Sequence, residues 1–183
     1  EITDWYIAVG KIGPDKGALE TIRFAQRHGL ELDVVGAKGP GDPESYYQAV
    51  LQACRDYPKA HYWGELDDTA KAWMLARAKA MLYIPKYKQP GTGESHSHKM
   101  MDGFLAGCPV LTVDEGAFSE VIDEGVTGLV ADDEEDMGRL LPDLDAIDRE
   151  ACRERAVERW SIENVVAGWL PVYRAVAAGE RWA

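Results

Sequence analysis

The sequence predicts an α/β fold, a Rossmann-like parallel sheet of about six strands with helices on both faces and a helical carboxyl-terminal extension over 148–183. Two observations carry this expectation. Short apolar runs alternate with amphipathic stretches along the whole chain, the pattern of strands joined by helical crossovers. The 183 residues, 46% of them hydrophobic, suffice for one sizeable core, so a single domain over 1–183 is expected.

The runs 5–9, 32–35, 61–63, 81–84, 110–113 and 128–130 read as strands. Between the first two, Leu19, Ile22, Phe24 and Ala25 follow helical spacing, and Gly29 is placed to stop that helix. The turn 39–43 offers Asp42 as a cap and Pro43 for a first helical turn. Asp67 or Asp68 is placed to cap the helix running through Trp73 to Ala78. The acidic run 132–136 precedes Met137, Leu140 and Leu141. It reads as a solvated first helical turn whose carboxylates suit the helix dipole, in preference to a cation site. The carboxyl end reads as two helices broken near Trp160, with Ser161 capping the second. In a doubly wound sheet the ligand crevice lies beyond the carboxyl ends of the strands, where strand order reverses. Binding residues are therefore expected just after strands.

A formal net charge of −12 gives a nucleic acid no general attraction, so any phosphate must be held locally. Cys54, Cys108 and Cys152 are far apart and odd in number, which suits reduced thiols of a cytoplasmic protein. No run reaches the roughly 18 to 20 apolar residues of a membrane span, and no basic segment precedes an apolar one at the amino terminus. The chain starts at Glu1 and enters an apolar run at Trp5, which reads as a cut at a domain boundary of something longer.

Two segments carry candidate chemistry. Residues 10–17 form a glycine-rich turn after the first strand, with Lys11 and Lys16 placed to meet a diphosphate together with backbone amides. In 93–110, Met101, Phe104, Leu105 and Cys108 give a helix its core face, while Gly107 and Pro109 end it. Ser95 or Ser97 can cap that helix, leaving amides near Ser97, His98 and Lys99 for an anion. Glu94 stands before the helix and Asp102 about one turn inside it. A metal cluster of Glu94, His96, His98 and Asp102 is the weaker reading, because only His98 and Asp102 share a helix face. Trp63 has two readings, a base-stacking ring or a buried core ring; His28 and His61 read as structural.

The spacing Glu94, seven residues, Asp102, then Gly107 and Pro109 resembles the Glu-x7-Glu motif of family 4 glycosyltransferases, retaining enzymes of the GT-B fold. Residues 10–17 resemble that family's Gly-Arg-Leu-x-Pro-Glu-Lys-Gly turn. Residues 63–66 resemble its loop after the third strand, and 115–120 with 125–128 its segment after the fifth. Lys11 stands where the family has Arg, Asp102 where it has Glu, and His96 and Ser97 where it has an aromatic residue and glycine. His96 is then a candidate contact to a hydroxyl or phosphate.

The resemblance implies one half of a GT-B enzyme, the carboxyl-terminal domain that binds a nucleotide sugar, UDP-sugar or GDP-sugar, and moves a hexose with retention. It implies that Lys11 and Lys16 contact the diphosphate, Glu94 approaches the sugar as the catalytic carboxylate, and Asp102 holds the ribose. Amides of Ser97, His98 and Lys99 would bind phosphate oxygens, with Gly64, Glu65 and Leu66 flanking the base. No metal and no cofactor beyond the donor is implied. An amino-terminal acceptor domain would be missing, leaving this domain inactive alone. The last helix, with Trp169, Leu170, Val172, Tyr173 and Val176, would pack on that domain or pair in a homodimer. An epimerase of the same fold and a non-catalytic nucleotide-sugar-binding module are the alternatives.

Overall fold

The computed structural model describes residues 2–86 and 97–180. In chain order the elements are β1 (Tyr6–Val9), α1 (Ala18–His28), β2 (Leu32–Val35), α2 (Glu44–Asp56), β3 (Ala60–Gly64), α3 (Asp68–Arg77) and β4 (Met81–Tyr83). There follow α4 (His98–Leu105), β5 (Val110–Val113), α5 (Phe118–Val121), β6 (Gly128–Ala131), α6 (Glu134–Leu140), α7 (Arg149–Trp160) and α8 (Ile162–Ala177). The six strands form one sheet in the order β3-β2-β1-β4-β5-β6, and every neighbouring pair is parallel. The order reverses between β1 and β4, which opens a crevice at their carboxyl ends.

Strand side chains alternate between two cores. Tyr6, Ala8, Leu32, Val34, Leu82 and Leu111 pack with buried residues of α1 and α2 on one face. Ile7, Val35, Met81, Tyr83 and Val110 pack with α3, α4 and α7 on the other. Asp33 also lies at an odd position of β2 and is buried, the one carboxylate so placed among the described residues.

The local signals account for most helix ends. Gly29 takes a left-handed φ of 68° after α1. Asp67, Asp133 and Ser161 accept hydrogen bonds from the first-turn amides of α3, α6 and α8, so the acidic run does open a helix. The turn 39–43 departs from expectation. Pro43 precedes α2 without lying in it, no side chain caps that helix, and the Asp42 carboxylate pairs with Lys11 instead. The Arg149 guanidinium, at the start of α7, donates to the carbonyls of Leu75, Ala76, Ala78 and Lys79. It thereby satisfies carbonyls that α3 leaves open at its end.

The three cysteines are free and buried, as expected of small hydrophobes, and burial pushes the Cys108 and Cys152 thiols up to about 12. Helix α8 buries no residue, and its Trp169 and Tyr173 are exposed. No helix among the described residues is long and apolar enough to cross a membrane.

Candidate functional site

The crevice begins where β1 runs into the glycine-rich turn. Gly17 has φ +62°, and a Cβ there would lie 1.6 Å from the Ile84 carbonyl oxygen. Only glycine lets this turn close down on the end of β4. Within the turn, Lys11 Nζ lies 3.1 Å from Asp15 and 3.1 Å from Asp42, while Lys16 Nζ lies 3.8 Å from the other Asp15 oxygen. Burial disfavours the Lys11 charge, but the hydrogen bonds to Asp15 and Asp42 outweigh it and hold its pKa above the usual lysine value. A bound phosphate would take up donors that Asp15 now engages.

Across the switch point, α4 starts at His98 with no acidic residue in its first turn, so no carboxylate of that turn matches the positive end of its dipole. Ser97 occupies the cap position, but its side chain makes no capping bond; Oγ is buried without a partner among the described residues. Capping by Ser97 is therefore not realised, and Ser95, the other candidate, lies outside the described residues. The Lys99 ammonium sits 3.2 Å from the centroid of the Tyr83 ring, and a Cβ on Gly10 would lie 3.2 Å from the same Nζ. Lys99 thus spans from the first turn of α4 to the end of β1, with the buried Tyr83 ring beneath it.

The other sequence candidates spread outwards. Asp102 pairs with Lys71 of α3 at 2.9 Å, and Lys71 also reaches Asp68 at 3.0 Å. The hydrogen bond to Asp102, acting against partial burial, raises the Lys71 pKa. His98 is exposed and lines a groove of 720 Å3 against Trp160 at the end of α7 and Trp169 and other residues of α8. Gly64 turns the chain with φ 73°, Glu65 is exposed, and Leu66 packs against the second core. Trp63 is 54% exposed on the face of the sheet, so it is not a core ring; its Nε1 donates to Asp33 Oδ1 at 2.7 Å. His61 and His28 are likewise on the surface, His61 3.8 Å from Glu31 and His28 with its ring 4.5 Å from that of Phe24. Glu94 and His96 lie outside the described residues.

Lys11, Lys16, Ser97 and Lys99 therefore surround the β1/β4 switch point, and Asp102 stands a turn deeper beside α3. Asp15, Asp42, Lys71 and Tyr83 belong to this arrangement and were not candidates from the sequence. The position of Tyr83 at the end of β4 was the available signal for it. The pairing of Lys71 with Asp102 joins two helices and has no local signature.

Residues 9–144 match the model of a family described as glycosyl transferases group 1. Among solved structures, AviGT4, a glycosyltransferase involved in avilamycin A biosynthesis, is similar at TM-score 0.79 and 23% identity, covering 100% of this chain and 54% of that one. Anabaena HepE in complex with UDP-glucose is similar at TM-score 0.75 and 13% identity, over 94% of this chain and 49% of its own. Sucrose-phosphate synthase from Thermosynechococcus elongatus gives TM-score 0.77 and 18% identity, over 96% and 46%. The chain thus spans about half the length of these solved proteins, and its sheet and helices are the fold expected of half a GT-B protein. No curated protein sequence matches it.

Proposed function

Since this chain belongs to the family of glycosyl transferases group 1, we propose that it is the donor-binding half of a longer retaining glycosyltransferase, and that its crevice takes a UDP- or GDP-sugar. The observation that carries this reading is the meeting of Lys99 with Gly10 over Tyr83, which brings the amino end of α4 against the turn holding Lys11 and Lys16.

Three ammonium groups and a helix amino terminus around one crevice suit a diphosphate. As the sugar departs, negative charge grows on that diphosphate, and donors already oriented towards it lower the barrier. Glu94 takes the role of the carboxylate near the sugar ring, where the reacting carbon becomes oxocarbenium-like. Asp102 reaches the ribose, steadied by Lys71, and the Gly64–Leu66 backbone flanks the base. HepE, similar in fold, is solved with UDP-glucose, which favours a uridine donor. The exposed face of α8 is the surface for the amino-terminal domain that supplies the acceptor site, or for a second copy when this chain is alone.

A module that binds the donor without transfer is the second reading, favoured by an Asp102 already committed to Lys71. Incubating the parent enzyme with a donor panel, while following released nucleotide and the anomeric configuration of product, separates the two. Transfer with retention supports the enzyme; donor binding without turnover supports the module. An epimerised donor, inversion, or transfer by this chain alone at the parent's rate contradicts the proposal.

A further inference from the structure

A second pocket lies on the sheet face beneath α3, away from the lysine-rich turn. It reaches from the loop after β3 to Trp5, which precedes β1, and has a volume of 500 Å3. Its walls are the indoles of Trp5, Trp63 and Trp73, with Asp33 in the interior and Glu31 and His61 at one side. Trp63 and Trp73 are 54% and 57% exposed, a large apolar surface left open beside a polar interior.

Asp33 is the unusual group. It is only 5% exposed, yet its one side-chain hydrogen bond among the described residues comes from Trp63 Nε1. Burial pushes its carboxyl above the usual aspartate range, and the Trp63 hydrogen bond and the nearby His61 offset this only in part. A buried carboxylate without a full counter-charge is unfavourable unless something supplies one. The β-bulge that pairs Val34 with Tyr62 but Val35 with Gly64 gives β3 an extra residue, Trp63, and sets its ring beside this carboxylate. Trp73 already receives a cation on one face, the Arg77 guanidinium 4.8 Å from the ring centroid.

Exposed indole rings beside a buried carboxylate make a site for an organic cation, because ring quadrupole and negative charge attract the same ligand. We propose that this pocket binds an alkylammonium group, with Asp33 as counter-ion and the rings of Trp63 and Trp73 as its walls. Glu31 at the mouth and the chain's net charge of −12 favour approach of a cation. A neutral sugar ring, which would use Trp5 Nε1, without a partner among the described residues, is the competing ligand class.

Intrinsic tryptophan fluorescence of the 183-residue chain, titrated with tetramethylammonium and n-butylammonium against sodium chloride at matched ionic strength, tests the site. A saturable change is expected with the ammonium ions, absent with methyl α-glucoside and undiminished by saturating UDP. Asp33→Asn should weaken it by about tenfold or more, and Trp73→Ala, at an exposed position, by about threefold or more. No change beyond that of sodium, equal binding by wild type and Trp73→Ala, retention of binding in a folded Asp33→Asn, saturation by the glucoside alone, or displacement by UDP would each overturn the proposal.

Discussion

Lys99 Nζ rests 3.2 Å from the centroid of the Tyr83 ring, so a cation on the first turn of α4 is held at the end of a central strand. On the proposed function, Lys99 meets the diphosphate through its side chain as well as its amide. Replacing Lys99 with Met keeps the aliphatic stem and removes the charge. UDP affinity should fall by about tenfold or more, the worth of a charge-assisted bond to phosphate. Uridine, lacking phosphate, should bind both proteins alike. Calorimetric titration of the two ligands measures the difference, and an equal loss for uridine would assign Lys99 to the base or to folding.

The Lys71–Asp102 pair is partly exposed, and such pairs contribute only about 0 to 1 kcal/mol to stability. Lys71→Ala and Asp102→Ala should therefore leave thermal unfolding nearly unchanged. Each should weaken UDP binding severalfold, and the double variant should be no weaker than the poorer single one, since Lys71 acts through Asp102. Additive losses in this double-mutant cycle would mean that the two side chains bind separately.

Gly17→Ala places a methyl where the Ile84 carbonyl stands and asks a non-glycine residue for φ +62°. The turn must shift away from β4, and stability should drop by about 2 kcal/mol or more. Urea unfolding gives the value. A loss under about 0.5 kcal/mol, the range of an ordinary surface change, would show that the turn does not clamp β4.

Asp33 sets a pH dependence. Its native pKa is raised above the ordinary 3.8 by burial, so just above that value the native state holds more protons than the unfolded state. Stability from this group is then greatest below that window and falls as pH rises through it. Asp33→Asn keeps an acceptor for Trp63 and removes the charge, and should stabilise the unliganded chain by about 1 kcal/mol at pH 7. The gain should shrink near pH 4, as protonation begins to remove the charge. Urea unfolding at the two pH values checks this, and a gain of equal size at both would remove the carboxylate charge as its cause.

Much of this arrangement was legible in the sequence because its signals are local. Apolar alternation marked all six strands, and Gly29, Asp67 and Ser161 marked helix ends through bonds spanning a few residues. The site's ingredients were also local, a glycine-rich turn and a helix start. What the sequence hid is how side chains pair over distance. Asp42 looked like a cap but serves Lys11 across 31 residues. Ser97 looked like a cap but turns its hydroxyl into a buried position. Trp63 reads as a base-stacking ring or a core ring; it is exposed and so not in the core, and its indole nitrogen meets Asp33, 30 residues earlier in the chain. Register and bulges are products of sheet packing and leave no fixed spacing behind.

The central claim is that the β1/β4 crevice holds a nucleoside diphosphate through the lysine-rich turn and the start of α4. Calorimetric titration of UDP, GDP and ADP into the wild-type chain and into Lys16→Ala tests it most directly. One nucleotide should bind the wild type saturably, and the variant should bind it about tenfold or more weakly while unfolding at the same temperature. No binding of any of the three nucleotides, or affinity unchanged in a folded Lys16→Ala, would contradict it.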